Sequence, residues 1–209
     1  EGDFMEAFRL FSMGSDKGDG ASSYGLGMIY ENGLLKEKDS KKAIVYYEKA
    51  LSEGFLQAGV KLSTLYRAGK LVKKDRRKAL DYIRMAADQG HPCAQVSYGR
   101  MLLKGIQCKK DEKLAFTCFE KAAAFGDPEA CFYLASLYKE GRGVEKNLSK
   151  ALHFYIRAGE QEHEEAISEL HYFTKEEAFS ELCPEDIVLE RIGVILIRER
   201  RLFPTGYVL

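Results

Sequence analysis

The chain carries no tryptophan and only four prolines in 209 residues. The missing indoles leave the core to 12 tyrosines, 12 phenylalanines and the aliphatic side chains. So little proline argues against long irregular connections. Excess charge is missing too: 32 basic residues face 32 acidic ones, and the formal charge is zero. A protein devoted to nucleic acid or to an anionic membrane draws its affinity from surplus cations, so this balance argues against both. Nor is there an apolar run of bilayer length. The longest, Ile192 to Ile197, falls far short of the ~20 residues that a spanning helix needs. The five cysteines are Cys93, Cys108, Cys118, Cys131 and Cys183. They form no Cys-x-x-Cys pair, and their gaps of 15, 10, 13 and 52 residues are too wide for a zinc cluster. They read as buried apolar residues of a reducing compartment. The acidic start, Glu1-Gly2-Asp3, lacks the features of a secretory leader. The expected location is the cytoplasm, with the endoplasmic-reticulum lumen or secretion as the alternative if a targeting segment was removed.

What is present is foldable: 45% apolar and 31% charged residues, far from a disordered composition. It is also periodic. Gly33, Gly69, Gly105 and Gly141 are each 36 residues apart, and so are Tyr30, Tyr66, Leu102 and Tyr138. Asp39, Asp75, Asp111 and Asn147 keep the same interval, as do Ala43, Ala79, Ala115 and Ala151, and Ala50, Ala86, Ala122 and Ala158. A period in this range marks an array of stacked units. Within a copy, Ala58, Leu62 and Tyr66 step by four, the spacing of one helical face. That is helix A, closed by the glycine column, whose members accept left-handed backbone. The Asp/Asn column caps helix B, which carries Ala43, Tyr47 and Ala50 and ends near Gly54, Gly90 and Gly126. Pro92 and Pro128 suit the first turn of the next helix A. Neither helix hides its apolar stripe alone, and stacking buries it. The predicted fold is all-α, a solenoid of stacked antiparallel helix pairs with a 36-residue period.

The frame divides the chain. Residues 1–19 hold helix B of a partial copy, residues 20–163 four complete copies, residues 164–183 a degraded fifth, and residues 184–209 a C-terminal capping helix and tail. A start in mid-repeat is the expected mark of a chain cut from a longer protein.

The fourth copy runs Glu129-Ala130-Cys131-Phe132-Tyr133-Leu134-Ala135-Ser136-Leu137-Tyr138, then Gly141-Arg142-Gly143-Val144, Lys150-Ala151-Leu152 and Tyr155-Ile156-Arg157-Ala158. This resembles the Sel-one-like repeat (SLR) family, relatives of tetratricopeptide repeats with a longer internal loop. The resemblance covers roughly residues 5–173. Only this copy has the full Gly-x-Gly-Val; the others read Gly33-Leu34-Leu35, Gly69-Lys70-Leu71 and Gly105-Ile106-Gln107. One branch of the family pairs cysteines between helices A and B. Cys131 fits the first place, but Gly159 stands at the second, so that branch is not supported. The resemblance implies an all-α fold, a right-handed α/α superhelix that holds protein partners together, in settings from endoplasmic-reticulum quality control to bacterial signalling and host interaction.

In such repeats helix A lines the concave face. Carrying its inward positions over gives Tyr24, Met28, Glu31 and Asn32 in the first copy and Gln57, Val60, Thr64 and Arg67 in the second. Val96, Arg100, Leu103 and Lys104 follow in the third, and Phe132, Ser136 and Lys139 in the fourth. Arg67, Arg100, Lys104 and Lys139 would form a basic stripe flanked by Tyr24 and Phe132. Such a stripe suits an acidic or carboxylate-bearing peptide. The A-to-B loops form a second basic feature, with Lys73, Lys74, Arg76 and Arg77 around Asp75. This run resembles a nuclear localisation patch, although it straddles a helix cap; a solvated edge is the plainer reading. The opposite turns end in Glu160, Glu162, Glu164 and Glu165.

Pro184-Glu185-Asp186 looks like a helix start, and the apolar residues from Ile187 to Ile197 read as a cap over the last repeat. A homodimer surface and a β-strand are the alternatives. The histidines His91, His153, His163 and His171 fall in no metal or nucleophile spacing, and there is no phosphate loop. No catalytic residue, metal or cofactor is expected. The predicted function is an interaction scaffold with a concave helix-A groove for a protein or peptide. The alternatives are an RNA-binding helical array, which the zero net charge disfavours, or a regulatory repeat domain of a larger enzyme or quality-control complex.

Overall fold

Aspartate and asparagine open the helices and glycine closes them. The computed structural model describes residues 2–35, 38–173 and 191–197. Among the described residues every regular element is helical. Helix α1 spans Gly2–Asp16, α2 Gly20–Asn32, α3 Ser40–Ser52, α4 Gln57–Ala68 and α5 Arg76–Asp88. Then come α6 Pro92–Lys104, α7 Glu112–Ala124, α8 Pro128–Glu140, α9 Leu148–Gly159 and α10 Glu164–Phe173. The stretch from 191 to 197 is helical as well, so the strand alternative for it is wrong.

Each boundary has a local cause. The side-chain oxygens of Asp39, Asp75, Asp111 and Asn147 accept backbone N–H groups at 2.9–3.0 Å in the first turns of α3, α5, α7 and α9. Such a cap stabilises a helix by about 1 kcal/mol. Gly33, Gly69, Gly105 and Gly141 stand at φ between 64° and 71°, a conformation that costs other residues roughly 1–2 kcal/mol. A second capping column precedes the A helices. Asp19 accepts from Ser22 N–H at 3.1 Å and Asp127 from Ala130 N–H at 2.8 Å. In the same phase the Nδ1 atoms of His91 and His163 accept from Ala94 and Ala166 at 3.3 and 3.4 Å.

The described residues fall into two compact units that divide between residues 110 and 111. The first holds α1–α6. Its core is threaded by Ala43, Ala50, Ala58, Ala86 and Ala94, all fully buried, between larger residues such as Tyr47, Leu62 and Ile83. The small residues let helix axes approach; the large ones fill the space between. The second unit holds α7–α10 and repeats the scheme, with Phe119 and Tyr155 in the phase of Tyr47. Each such ring contributes about 2–3 kcal/mol by its burial.

Two expectations need correction. Cys118 and Cys131 are buried, but Cys93 is exposed and Cys108 partly so, because Cys93 stands in the first turn of α6 and Cys108 in the loop between α6 and α7, neither on a core stripe; Cys183 lies outside the described residues. Val96, expected on the inward face, is core at 2% exposure. Of the C-terminal segment, the helical stretch 191–197 is described. It buries Ile192 and Ile195, sets Ile195 against Gly159 and pairs Arg191 with Glu160 at 2.8 Å. It therefore packs on the end of α9. Residues 184–190 and 198–209, with the proposed helix start and the Tyr207-Val208-Leu209 tail, lie outside the described residues.

Candidate functional site

Three of the cations expected on the inward face meet in the first unit. Arg67, in the last turn of α4, and Arg100 and Lys104, one turn apart on α6, line a single cleft of about 150 Å³. The walls add the hydroxyls of Thr64 and Ser97 and the carboxamide of Gln107, and Ile83 and Ala79 of α5 form the floor. No acidic side chain lines it. All three cationic side chains are exposed at its mouth. The grouping follows from the repeat. Successive A helices lie side by side, so the end of α4 meets the second half of α6. A guanidinium offers planar, paired donors to a carboxylate, and an ammonium adds charge without direction.

The four expected positions of the first copy lie elsewhere. The Tyr24 ring packs 5.1 Å from Tyr47 and 5.0 Å from Phe55, and burial raises its phenol pKa. The Glu31 carboxylate accepts the Tyr47 hydroxyl and pairs with Lys61 of α4 at 2.8 Å. Burial first, then this carboxylate, pushes the Tyr47 phenol far above its ordinary value. Met28 is exposed, and the Asn32 amide donates to the Met28 carbonyl at 2.9 Å. None of these four lines the cleft.

In the second unit, Lys139 of α8 is held by Glu169 of α10 at 2.8 Å, with its ammonium 5.1 Å from the Tyr172 ring and 5.4 Å from the Phe173 ring. Phe132 stacks on His163 at 4.9 Å. Both serve contacts between helices. On the loop edge of the first unit, Lys73, Lys74, Arg76 and Arg77 are exposed. Asp75 among them is engaged as the α5 cap, accepting Arg77 and Lys78 N–H groups at 3.0 Å.

Ser97 and Gln107 line the cleft without having been among the expected inward positions. Gln107 is one of two non-glycine residues described with positive φ, at 65°. Its signal was present, since it stands 36 residues before Gly143, which has φ 70°. Ser97 shares its repeat phase with Lys61 and Glu169. Among the described residues no three His, Cys, Asp or Glu side chains group as a metal site, and no helix is long and apolar enough to cross a membrane.

A family model described as Sel1 repeat matches residues 1–19, 20–55, 58–91, 94–127 and 128–163. Among solved structures, the chain is similar to a Sel1 repeat protein from Oxalobacter formigenes. The TM-score is 0.68 and the identity 30%, over 76% of this chain and 64% of that one. It is also similar to a protective antigen of uropathogenic Escherichia coli displaying an SLR fold, with TM-score 0.75 and 23% identity over 92% of this chain and 41% of that one. An immunity protein from Pseudomonas aeruginosa gives TM-score 0.52 and 22% identity, over 95% and 74% of the two chains. The chain thus spans less than two thirds of the length of the first two relatives. No curated protein matches it.

Proposed function

The chain belongs to the Sel1 repeat family, and on that premise we propose that it is an interaction module whose α4–α6 cleft binds an acidic or carboxylate-bearing segment of a partner protein. Sel1 repeats typically mediate protein–protein contacts, and the fold is generally a non-catalytic scaffold. The observation that carries the finer reading is the convergence of Arg67, Arg100 and Lys104 on one cleft with an apolar floor and no acidic wall. A bound carboxylate there accepts charge-assisted hydrogen bonds from guanidinium groups and hydroxyls, while the floor takes the aliphatic part of its side chain. Arginine at the centre of such a surface is the residue type that most often dominates binding energy.

The test is an anisotropy titration with a labelled acidic peptide against the wild type and Arg67→Glu/Lys104→Glu. The reading expects affinity to fall at least about tenfold in the variant, since two attractions become repulsions. Equal affinity overturns it. A labelled RNA oligonucleotide in the same assay addresses the nucleic-acid alternative. RNA binding with a steep salt dependence, in place of peptide binding, would favour that class.

A further inference from the structure

The A helices are tied together by a ladder of pairs 30 residues apart. Glu31 of α2 meets Lys61 of α4 at 2.8 Å, and Lys139 of α8 meets Glu169 of α10 at 2.8 Å. The two pairs occupy the same repeat phase, because positions 31 and 139 are three periods apart and so are 61 and 169. Their polarity is opposite: acid then base in the first, base then acid in the second. Each joins the A helices of consecutive copies, and each side chain is about two thirds buried or more.

In this register Arg67 of α4 stands where Glu31 and Lys139 stand, and its counterpart on α6 is Ser97. Both line the cleft. Serine is uncharged and too short to reach a guanidinium as Glu169 reaches Lys139. Among the described residues Arg67 has no ion pair. The cleft therefore coincides with a rung that has its base but no acid. Its volume of about 150 Å³ is below the range of small-molecule pockets and suits one side chain.

We infer that the partner supplies the missing acid: a single glutamate-type side chain enters the cleft beside Ser97 and completes the rung with Arg67, as Glu169 does with Lys139. Ser97 is then the specificity-determining residue, since its small size keeps the position open. Arg100 and Lys104 widen the attraction to the rest of an acidic segment. This rests on the acidic-segment reading of the cleft and adds to it the seat and the class of the ligand.

The experiment uses the full chain with Ser97→Glu and Ser97→Gln, and a labelled peptide of alternating glutamate and glycine as probe. A built-in glutamate at position 97 occupies the seat. The expected result is that Ser97→Glu weakens peptide binding at least tenfold and raises the melting temperature, and that Arg67→Gln cancels this thermal gain in a double-mutant cycle. Ser97→Gln, similar in bulk but uncharged, separates charge from crowding and retains most of the affinity. If Ser97→Glu binds the peptide as the wild type does, the seat is elsewhere; this inference falls while the acidic-segment reading stands. If the wild type binds neither this peptide nor any other acidic peptide, both fall. A thermal gain that survives Arg67→Gln also overturns the rung.

Discussion

The Lys49 ammonium reaches back 34 residues to donate to the Ser15 carbonyl at 2.8 Å. Three periods later, the Arg157 guanidinium donates to the Ala123 carbonyl, again 34 residues back, at 3.0 Å. Both carbonyls lie in the last turn of the preceding helix B, and both also accept the N–H of the turn glycine, Gly18 or Gly126. A cation here gives the carbonyl a second donor and complements the negative end of the helix dipole. In the second copy this phase holds Met85, which is exposed, and the carbonyl 34 residues before it belongs to Leu51. Met85→Arg should restore the tie and stabilise the protein by about 0.5–1 kcal/mol. A urea melt checks it, and an unchanged or lower midpoint would count against the tie.

Glu162 occupies the phase of Gly18, Gly54, Gly90 and Gly126, all at positive φ, and is itself at φ 62°. Glutamate pays for this conformation what glycine does not. Its turn still forms: Glu162 N–H donates to the Gly159 carbonyl at 2.9 Å. Because glycine also loses more entropy on folding, the net gain from Glu162→Gly should be about 0.5–1 kcal/mol. Thermal denaturation of the pair of proteins measures it; a destabilised variant would show that the Glu162 side chain has a compensating contact.

The repeat was legible because its markers are local. Gly33 and its equivalents, the Asp39 capping column and the Ala43 and Ala50 columns each act within one copy, so a single period displays them. Arg67, Arg100 and Lys104 were legible as helix-A cations for the same reason. The use of Lys139 was not, since its partner Glu169 lies 30 residues on in the next A helix, a distance that means nothing until the helices are stacked. Tyr24 and Phe132 were read as binding aromatics, yet both spend their rings on neighbours. The His91 cap was missed because histidine is not a typical capping residue. Its phase with Asp19 and Asp127 was the available signal.

Gly143 explains why one copy keeps a second loop glycine. Its backbone lies against the Glu112–Lys113 peptide, where a β-carbon would come within 2.4 Å of the Glu112 carbonyl oxygen. The same approach lets Arg142 pair with Glu112 at 2.9 Å and Glu140 at 3.0 Å. Gly143→Ala meets both a backbone collision and an unfavourable positive φ, and should cost ~2 kcal/mol or more. Gln107 shows that the φ alone is tolerated in this phase. A chemical-denaturation midpoint close to wild type for Gly143→Ala would mean that the loop and the start of α7 move apart at little cost.

His91 makes one helix start sensitive to pH. Its Nδ1 must be unprotonated to accept the Ala94 N–H, and burial holds its pKa below the ordinary 6.5. Protonation would turn the acceptor into a donor and set a positive charge at the positive end of α6. His153 is shifted the same way, first by burial and then by Arg157 and Arg191. In both cases the unfolded chain takes up a proton at a higher pH than the folded one does. The associated stability is complete above the ordinary 6.5 and is lost as pH falls from there through the folded values. The melting temperature should therefore drop between about pH 7.5 and about pH 5, well before carboxylates titrate. His91→Asn keeps a capping acceptor that does not ionise. At about pH 7.5 it should match or slightly exceed the wild type, and its loss on acidification should be smaller, with the remainder assigned to His153 by a His91→Asn/His153→Gln double variant. A wild-type melting temperature that stays level or rises over this window, or a His91→Asn profile as steep as the wild type's, would rule out the imidazole cap as the source.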